Sequence, residues 1–162
     1  HEGLTNAAQV SLFLDLTSAV SGTSAVRYNN TAPTSSVFSL GSSSLYNGSG
    51  NNLIGYCFSS IKGYSKVGSY VGTGSDVFIH TGFNVGWLIV KKRSPSNPQG
   101  KYIYANANSA EGTVTYGEFF SNGFGWKGTS SVAVNQSGNT FIYYAIAESP
   151  FVNSNGVPTN AR

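Results

Sequence analysis

The sequence predicts an all-β protein, an antiparallel β-sandwich of the jelly-roll or lectin-like type. Short apolar runs rich in aromatic and β-branched residues recur at spacings of roughly ten residues, and each is bounded by Gly, Asn or Pro. No long segment shows convincing helical periodicity. The third observation is an internal repeat, in which a small polar turn opens onto an apolar run at residues 47–59 and again at 135–148. Together these patterns favour short strands joined by turns over any helical fold.

The repeat indicates two copies of one β-unit. Asn47 corresponds to Asn135 and Tyr56 to Tyr144 at a constant offset, and both copies are predicted to place a hairpin turn before a buried strand. A short strand at 35–41 mirrors 121–128 at an offset two residues smaller. This difference predicts a two-residue insertion in a surface loop of the second copy.

The repeat also predicts the domain organisation. We expect the C-terminal part of a first unit at residues 1–62, a complete second unit at 63–150 and a C-terminal tail at 151–162. The first copy has no counterpart for most of the strands that precede residue 121 in the second copy. We therefore expect those strands to lie upstream on the same polypeptide or to come from another chain. The chain contains no Met, and we expect it to be part of a longer product.

The remaining elements follow in chain order. Residues 10–16 alternate between apolar and polar side chains closely enough to predict a strand, with a short helix over 6–15 as the alternative. Residues 17–36 are predicted to form a loop that holds one short edge strand. Further strands are predicted, each bounded by Gly, Asn or Pro, at 77–83, 87–91 and 102–105.

The composition excludes several classes of function. Charged residues make up only 9% of the sequence, compared with about 25% in ordinary soluble domains. A net charge of +3 rests on nine Lys and Arg, so nucleic-acid binding is not expected. The basic cluster Lys91, Lys92 and Arg93 is interpreted as a solvated strand end. No apolar stretch approaches the length of a membrane-spanning helix, so no membrane association is predicted.

Cysteine and histidine content gives no sign of a metal or cofactor. Cys57 is the sole cysteine and lies in an apolar run, so it is interpreted as a small buried hydrophobic residue. The alternative, a catalytic thiol, would need His1 or His80 as its partner. One Cys and two His cannot supply a zinc site of the usual spacing.

No enzymatic activity is predicted. Glu111 and Glu118 flank a predicted turn and are the nearest approach to a glycosidase pair, which needs two carboxylates placed on one cleft. No nucleophile motif is present, and the GTGS sequence at 72–75 lacks the helix and Lys of a phosphate-binding loop. A depolymerase is therefore the third alternative, behind two non-enzymatic functions.

Exposed aromatic side chains are the candidate ligand contacts. Aromatic rings stack on the apolar faces of pyranose sugars, and an Asn-rich surface of low charge supplies hydrogen bonds. The candidates are Trp126, Tyr116, Tyr102 and Tyr104. Trp126 is predicted to be the most exposed, because it lies beside the variable loop of the second copy. Most other aromatic residues are predicted to lie in the core.

Several strings of the sequence resemble a domain of unknown function that recurs, often duplicated, at the C-terminal end of large virion proteins of marine tailed phages. The resemblance covers nearly the whole chain and rests on NTAPTSSVFSLG at 30–41, IGYCFSSIKGYSKVGSYVGTGS at 54–75, IHTGFNVGWLIVKKR at 79–93, FFSNGFGWKGT at 119–129 and the ending VNSNGVPTNAR. It supplies no catalytic residues.

The resemblance implies a structural role on the virion surface, as a fibre, spike or head decoration. The partners would be further copies of the chain and other virion structural proteins, assembled through strand edges and flat polar surfaces. The alternative is a lectin-like module that binds cell-surface glycans. The two functions are compatible, since adhesive fibres combine them.

Overall fold

The computed structural model describes residues 1, 3–4, 6–93, 101–105, 117–128 and 132–150, without the side chains of 101–102, 104–105 and 132. Within these ranges the chain forms two one-turn helices and seven strands. The helices are α1 (Ser44–Asn47) and α2 (Val132–Asn135), and the strands are β1 (Ser65–Val71), β2 (Val77–His80), β3 (Val85–Lys92), β4 (Lys101–Ala105), β5 (Gly117–Phe120), β6 (Gly123–Trp126) and β7 (Thr140–Ala147).

The strands form two antiparallel sheets, which confirms the predicted all-β sandwich. One sheet has four strands in the order β1-β7-β3-β4, and the other has three in the order β2-β6-β5. β7 lies inside the four-stranded sheet, where it pairs with β1 along its whole length and with β3 on its other side. The predicted strands at 77–83, 87–91 and 102–105 correspond to β2, β3 and β4.

The core lies between the two sheets. Alternate residues of β3 and β7 point inward, so Leu88 and Phe141 are fully buried, and Phe124 reaches them from β6 in the opposite sheet. The rings of Phe124 and Tyr143 meet edge to face at 5.2 Å and join the sheets. Burying side chains of this size stabilises the fold by about 1.5–3 kcal/mol each.

The apolar run in the second copy forms a buried strand as predicted, but the turn before it is not a hairpin turn. It joins α2 to β7, whose neighbours β1 and β3 come from elsewhere in the chain. Gly138 occupies the left-handed region with φ 74° and reverses the chain there.

The first unit contains little regular structure. Among the described residues of 1–62, α1 is the only helix, and an isolated bridge between Ile61 and Ser65 is the only β pairing. The strands predicted at 10–16, 35–41 and 47–59, and the edge strand within 17–36, are therefore wrong for the chain as it stands. A strand exists only where a neighbouring strand pairs with its backbone, and no described strand pairs with these segments.

Within the described part of the chain, no helix has the length and hydrophobicity needed to cross a bilayer.

Candidate functional site

Asn135 fixes the loop that follows β1. Its side chain is 1% exposed, its Oδ1 accepts a hydrogen bond from the Thr73 amide at 3.0 Å, and its Nδ2 donates to the Ser75 carbonyl at 2.7 Å. The Asn135 carbonyl accepts a third hydrogen bond, from the Gly74 amide at 2.9 Å. One Asn at the end of α2 thus pairs three successive residues of a loop that is distant in sequence. The GTGS sequence is this loop.

Two further hydrogen bonds complete this contact between the loop and the α2–β7 turn. The Gly72 amide donates to the Asn139 carbonyl at 2.8 Å, and the Gly138 amide donates to the Gly72 carbonyl at 2.9 Å. Glycine is required at position 72, because a Cβ there would lie 2.3 Å from the Gln136 carbonyl oxygen. The turn at 135–139 therefore binds the backbone of loop 72–75, and we call it the receptor turn because it receives this loop.

Tyr70 is the side-chain anchor of the same contact. Its ring stacks on Phe141 with centroids 5.2 Å apart, and its hydroxyl donates to the Val134 carbonyl at 2.6 Å. The hydroxyl also accepts a hydrogen bond from Trp126 Nε1 at 2.8 Å. β1 is thus attached to the core by a partly buried aromatic ring as well as by its backbone.

The prediction that Trp126 is exposed is wrong. Its indole is 2% exposed and lies edge to face against Phe124 inside the sandwich. Gly123 and Gly125 occupy the outward positions of β6, so the strand's two aromatic residues both point inward. A side chain in this position cannot stack on a sugar at the surface.

The other predicted ligand contacts are not brought together by the described structure. Tyr102 and Tyr104 belong to β4, where they are opposite Val90 and Leu88, but their side chains lie outside the described part of the chain. Tyr116 lies outside the described residues altogether.

The first unit repeats the receptor turn. α1 ends at Asn47 as α2 ends at Asn135, and Gly50 has φ 78° where Gly138 has 74°. The Asn51 amide donates to the Gly48 carbonyl at 3.1 Å, and in the second unit the Asn139 amide donates to the Gln136 carbonyl at 3.2 Å. Asn47 is exposed, however, and its Nδ2 donates to the Gly41 carbonyl at 3.1 Å. The same turn is therefore formed without the loop that it binds in the second unit.

The residues that follow this turn are exposed. We call residues 52–58 the apolar segment. Leu53 and Ile54 are 54% and 80% exposed, whereas their counterparts Phe141 and Ile142 are 0% and 8% exposed. Cys57 is exposed too, so its interpretation as a buried hydrophobic residue is wrong. Among the described residues, no backbone hydrogen bond reaches residues 52–58.

The apolar segment is in contact with the second unit at its end. The ring of Phe58 lies against Tyr144 on the outer face of the four-stranded sheet, with centroids 4.9 Å apart. On the other side of the receptor turn, an open concavity of about 570 Å³ is bordered by Val26, Leu40 and Asn47. Leu40 is the counterpart of Trp126, so this space adjoins the first-unit equivalents of the residues around Tyr70.

A second exposed surface lies on the outer face of the three-stranded sheet. We call it the aromatic face; it consists of Phe78, His80 and Phe120 around Gly123 and Gly125. The Phe78 and Phe120 rings meet edge to face at 5.4 Å and lean over the central strand. Their exposed edges form an apolar platform, and the ion pair of Glu118 and Lys127 lies on the same side of the sheet.

The basic cluster at the end of β3 is not a solvated strand end. Lys91 and Lys92 are each 1% exposed; Lys91 Nζ donates to the Leu16 carbonyl at 2.8 Å, and Lys92 Nζ donates to Gln136 Oε1. Burial lowers the pKa of the Lys92 ammonium. The interpretation was wrong because residues of the first unit and the α2–β7 turn cover the two faces of the strand.

The described structure contains only one member of the predicted carboxylate pair, Glu118. Glu118 forms an exposed ion pair with Lys127, whose pKa is raised by its hydrogen bond to this carboxylate and by the carboxylate's charge. Glu111 lies outside the described residues. Among the described residues, no three His, Cys, Asp or Glu side chains cluster as metal ligands would.

The described residues define an all-β sandwich domain in which the packed residues of 63–150 and the open residues of 1–62 each contain a one-turn helix followed by the same kind of turn. The chain belongs to the family described as Domain of unknown function (DUF7483), whose model matches residues 1–150 and so runs through both units. No curated protein and no solved structure shows significant similarity to the chain.

Proposed function

We propose that the chain is a non-enzymatic structural module of a phage virion, assembled in multiple copies as part of a fibre, spike or head decoration. The observation that carries this proposal is the exposure of the apolar segment, in which Leu53 and Cys57 are the counterparts of the core residues Phe141 and Ala145. Exposed apolar clusters of this kind mark protein–protein contacts. The resemblance of strings at 54–75 and 79–93 to domains of virion proteins supports a particle as the setting.

The charge content agrees with close packing against neighbouring subunits. Charged residues are 9% of the chain, and residues 47–60 contain none. Charged side chains are depleted at the centres of protein interfaces, because removing them from water is costly. Covering a surface of Ser, Thr, Asn and Gly costs less hydration free energy than covering a surface of Lys and Glu.

The assembly state of the native material tests this function. Native mass spectrometry and sedimentation are expected to show a large symmetric assembly, and fractionation of particles is expected to place the chain on the virion surface. In the double variant Ile54→Ser, Tyr56→Ser the assembly should weaken, whereas Val71→Ser, an exposed change on β1, should leave it intact. A chain that remains monomeric over a wide range of concentration would contradict the proposal.

Glycan binding is the second candidate function, and the aromatic face favours it. Phe78, His80 and Phe120 offer apolar ring surface beside polar groups, which is the chemistry that pyranose rings require. Saturable binding to a bacterial surface polysaccharide should be lost in Phe78→Ala, Phe120→Ala and retained in Ile103→Ala, an exposed residue on the other sheet. Equal binding by both variants would remove the aromatic face as the site.

A further inference from the structure

We infer that the first unit contains an acceptor site for a β1-type strand and the loop that follows it, supplied by a neighbouring chain of the same family. The site consists of Asn47, the turn at 48–51 and the apolar segment. The inference rests on the proposed structural function, because it names the contact through which neighbouring subunits are joined. The second unit shows how such a strand is bound.

In the second unit, the bound element is recognised mainly through its backbone. β1 pairs with β7 at seven positions, from Ser65 opposite Ile146 to Val71 opposite Thr140. The loop after β1 then makes five hydrogen bonds with the α2–β7 turn, three of them to Asn135. Backbone pairing supplies affinity in strand addition, and side-chain pockets supply specificity.

The first unit already holds the corresponding groups in place. The carbonyl and side chain of Asn47, the amide of Gly50 and the carbonyl of Asn51 correspond to the five groups that bind loop 72–75. Asn47 Nδ2 donates to the Gly41 carbonyl in the isolated chain and would exchange this acceptor for the loop on binding. The matching helix, the positive φ of Gly50 and the matching turn hydrogen bond set their geometry before any partner arrives. Preorganisation of this kind lowers the entropy lost on binding.

The side chains of the site select an apolar anchor. Tyr70 of β1 packs between Phe141 and Phe124 in the second unit. Their counterparts Leu53 and Phe38 are both exposed, and the concavity beside Leu40 gives an aromatic anchor room. A strand that carries a Tyr or Phe at the position of Tyr70 would cover these side chains.

One position distinguishes the acceptor site from β7. Gly68 of β1 lies opposite Tyr143, and a Cβ at Gly68 would come within 2.6 Å of the Tyr143 hydroxyl. The counterpart of Tyr143 in the first unit is Gly55, which has no side chain to exclude a Cβ at the position of Gly68, and the ring of Phe38 lies beside it. The acceptor site should therefore take a strand with a large apolar residue where β1 must have glycine.

Two synthetic peptides test the site on the full chain. One has the sequence of residues 63–76, and the other carries Gly68→Leu in the same sequence. The Gly68→Leu peptide cannot replace β1 beside Tyr143, so its binding reports on the first unit. We expect it to slow the reaction of the Cys57 thiol with a soluble disulfide reagent, and to protect the amides of 52–58 from hydrogen exchange.

Matched variants of the chain locate the contact. Asn47→Ala should weaken binding of the Gly68→Leu peptide by about tenfold, because two hydrogen bonds to the loop are lost. Asn122→Ala, an exposed change in the turn between β5 and β6, should bind like the native chain. Replacing Gly55 with Tyr should abolish binding of the Gly68→Leu peptide and leave the fold intact.

The inference is overturned if neither peptide protects Cys57 or the amides of 52–58, or if protection falls on 140–147 instead. Tighter binding of the unmodified peptide than of the Gly68→Leu peptide would also overturn it. These outcomes are separate from the test of the structural function. A chain found on particles that does not take the peptides refutes the acceptor site alone, and a chain that takes them but occurs on no particle refutes the virion role alone.

Discussion

The two units contain the same short sequence pattern in opposite states. In the second unit, residues 140–147 form the strand β7, which is paired on both sides and packed in the core. In the first unit, residues 52–58 follow an equivalent turn and remain exposed without backbone pairing in the described structure. The turn forms in both places because its hydrogen bonds are local. The strand forms only in the second unit, because it depends on partner strands that are distant in sequence and that pair with residues 140–147 alone.

This difference shows which part of a β-unit its own sequence determines. Gly50 and Gly138 adopt nearly the same positive φ, and the helices before them end at the equivalent residues Asn47 and Asn135. An apolar run gains a strand's pairing and burial only when another strand lies beside it, so strand propensity depends strongly on context. If the two units differ only because one of them has a partner strand, equivalent positions should respond differently to the same change.

Thiol reactivity should show the largest difference. Cys57 and Ala145 are counterparts, the first exposed and the second fully buried. In the monomer, Cys57 should react almost as fast as in the unfolded chain. Cys at 145, placed by Ala145→Cys in a Cys57→Ser background, should react at least about a thousandfold more slowly, because it reacts only when the sandwich opens. A native Cys57 that is as slow as the buried thiol would mean that the apolar segment is covered.

Truncating the counterparts Phe141 and Leu53 should give the next largest difference. Phe141→Ala is expected to lower the free energy of unfolding by about 3–5 kcal/mol, because it opens a cavity in the core. Leu53→Ala removes an exposed side chain and should change this free energy by less than about 0.5 kcal/mol. Urea denaturation measures both. A loss of similar size in Leu53→Ala would show that the segment is packed in solution.

The two receptor asparagines should differ by a smaller amount. Asn135→Ala leaves the Thr73 amide and the Ser75 carbonyl without their partner, at a cost of about 2–3 kcal/mol in the free energy of unfolding. Asn47→Ala should cost less than about 0.5 kcal/mol in the isolated chain, since Asn47 is exposed. If the peptide of residues 63–76 with Gly68→Leu is added, the cost of Asn47→Ala should rise, and an unchanged cost would count against the acceptor site.

Lys92 should give the smallest effect, and one that depends on pH. It lies under the second-unit turn, where Gln136 accepts its hydrogen bond, while the first-unit turn has Gly48 at that position. Because burial lowers its pKa in the folded chain, the unfolded chain binds more protons between that lowered pKa and the ordinary value of 10.5. Stability relative to Lys92→Met should therefore rise with pH in that interval and stay level below it. Denaturation at a series of pH values, with Lys66→Met as control, measures the difference.

The fold class was predictable because it depends on local patterns. Apolar runs of strand length bounded by turn residues occur in β2, β3 and β7, and all three lie where the sequence placed them. The lack of strands among the described residues of the first unit was not predictable from the same patterns. Their runs satisfy every local criterion, and what they lack is a neighbouring strand, which no local criterion detects.

The site was only partly predictable. The correspondence of Asn47 with Asn135 is visible in the sequence, but its meaning depends on the buried contact with loop 72–75, which is far away in the chain. The exposure of Trp126 was predicted from the loop that follows it, whereas the glycines on alternate positions of β6 place its indole inside. Those two glycines were the signal in the sequence that could have corrected the prediction.

The pairing of β1 with β7 also determines how the domain would respond to mechanical force. The N-terminal end of β1 lies beside the C-terminal end of β7, with Ser65 opposite Ile146, and the Ala147 amide donates to the Tyr64 carbonyl at 2.9 Å. A pull applied at these two ends would load the hydrogen bonds one after another, as in opening a zipper, rather than shearing them all together. The pairing of β1 with β7 would therefore open at a lower force than a pairing that is loaded in shear, and the sandwich would last longest where these two ends are held side by side.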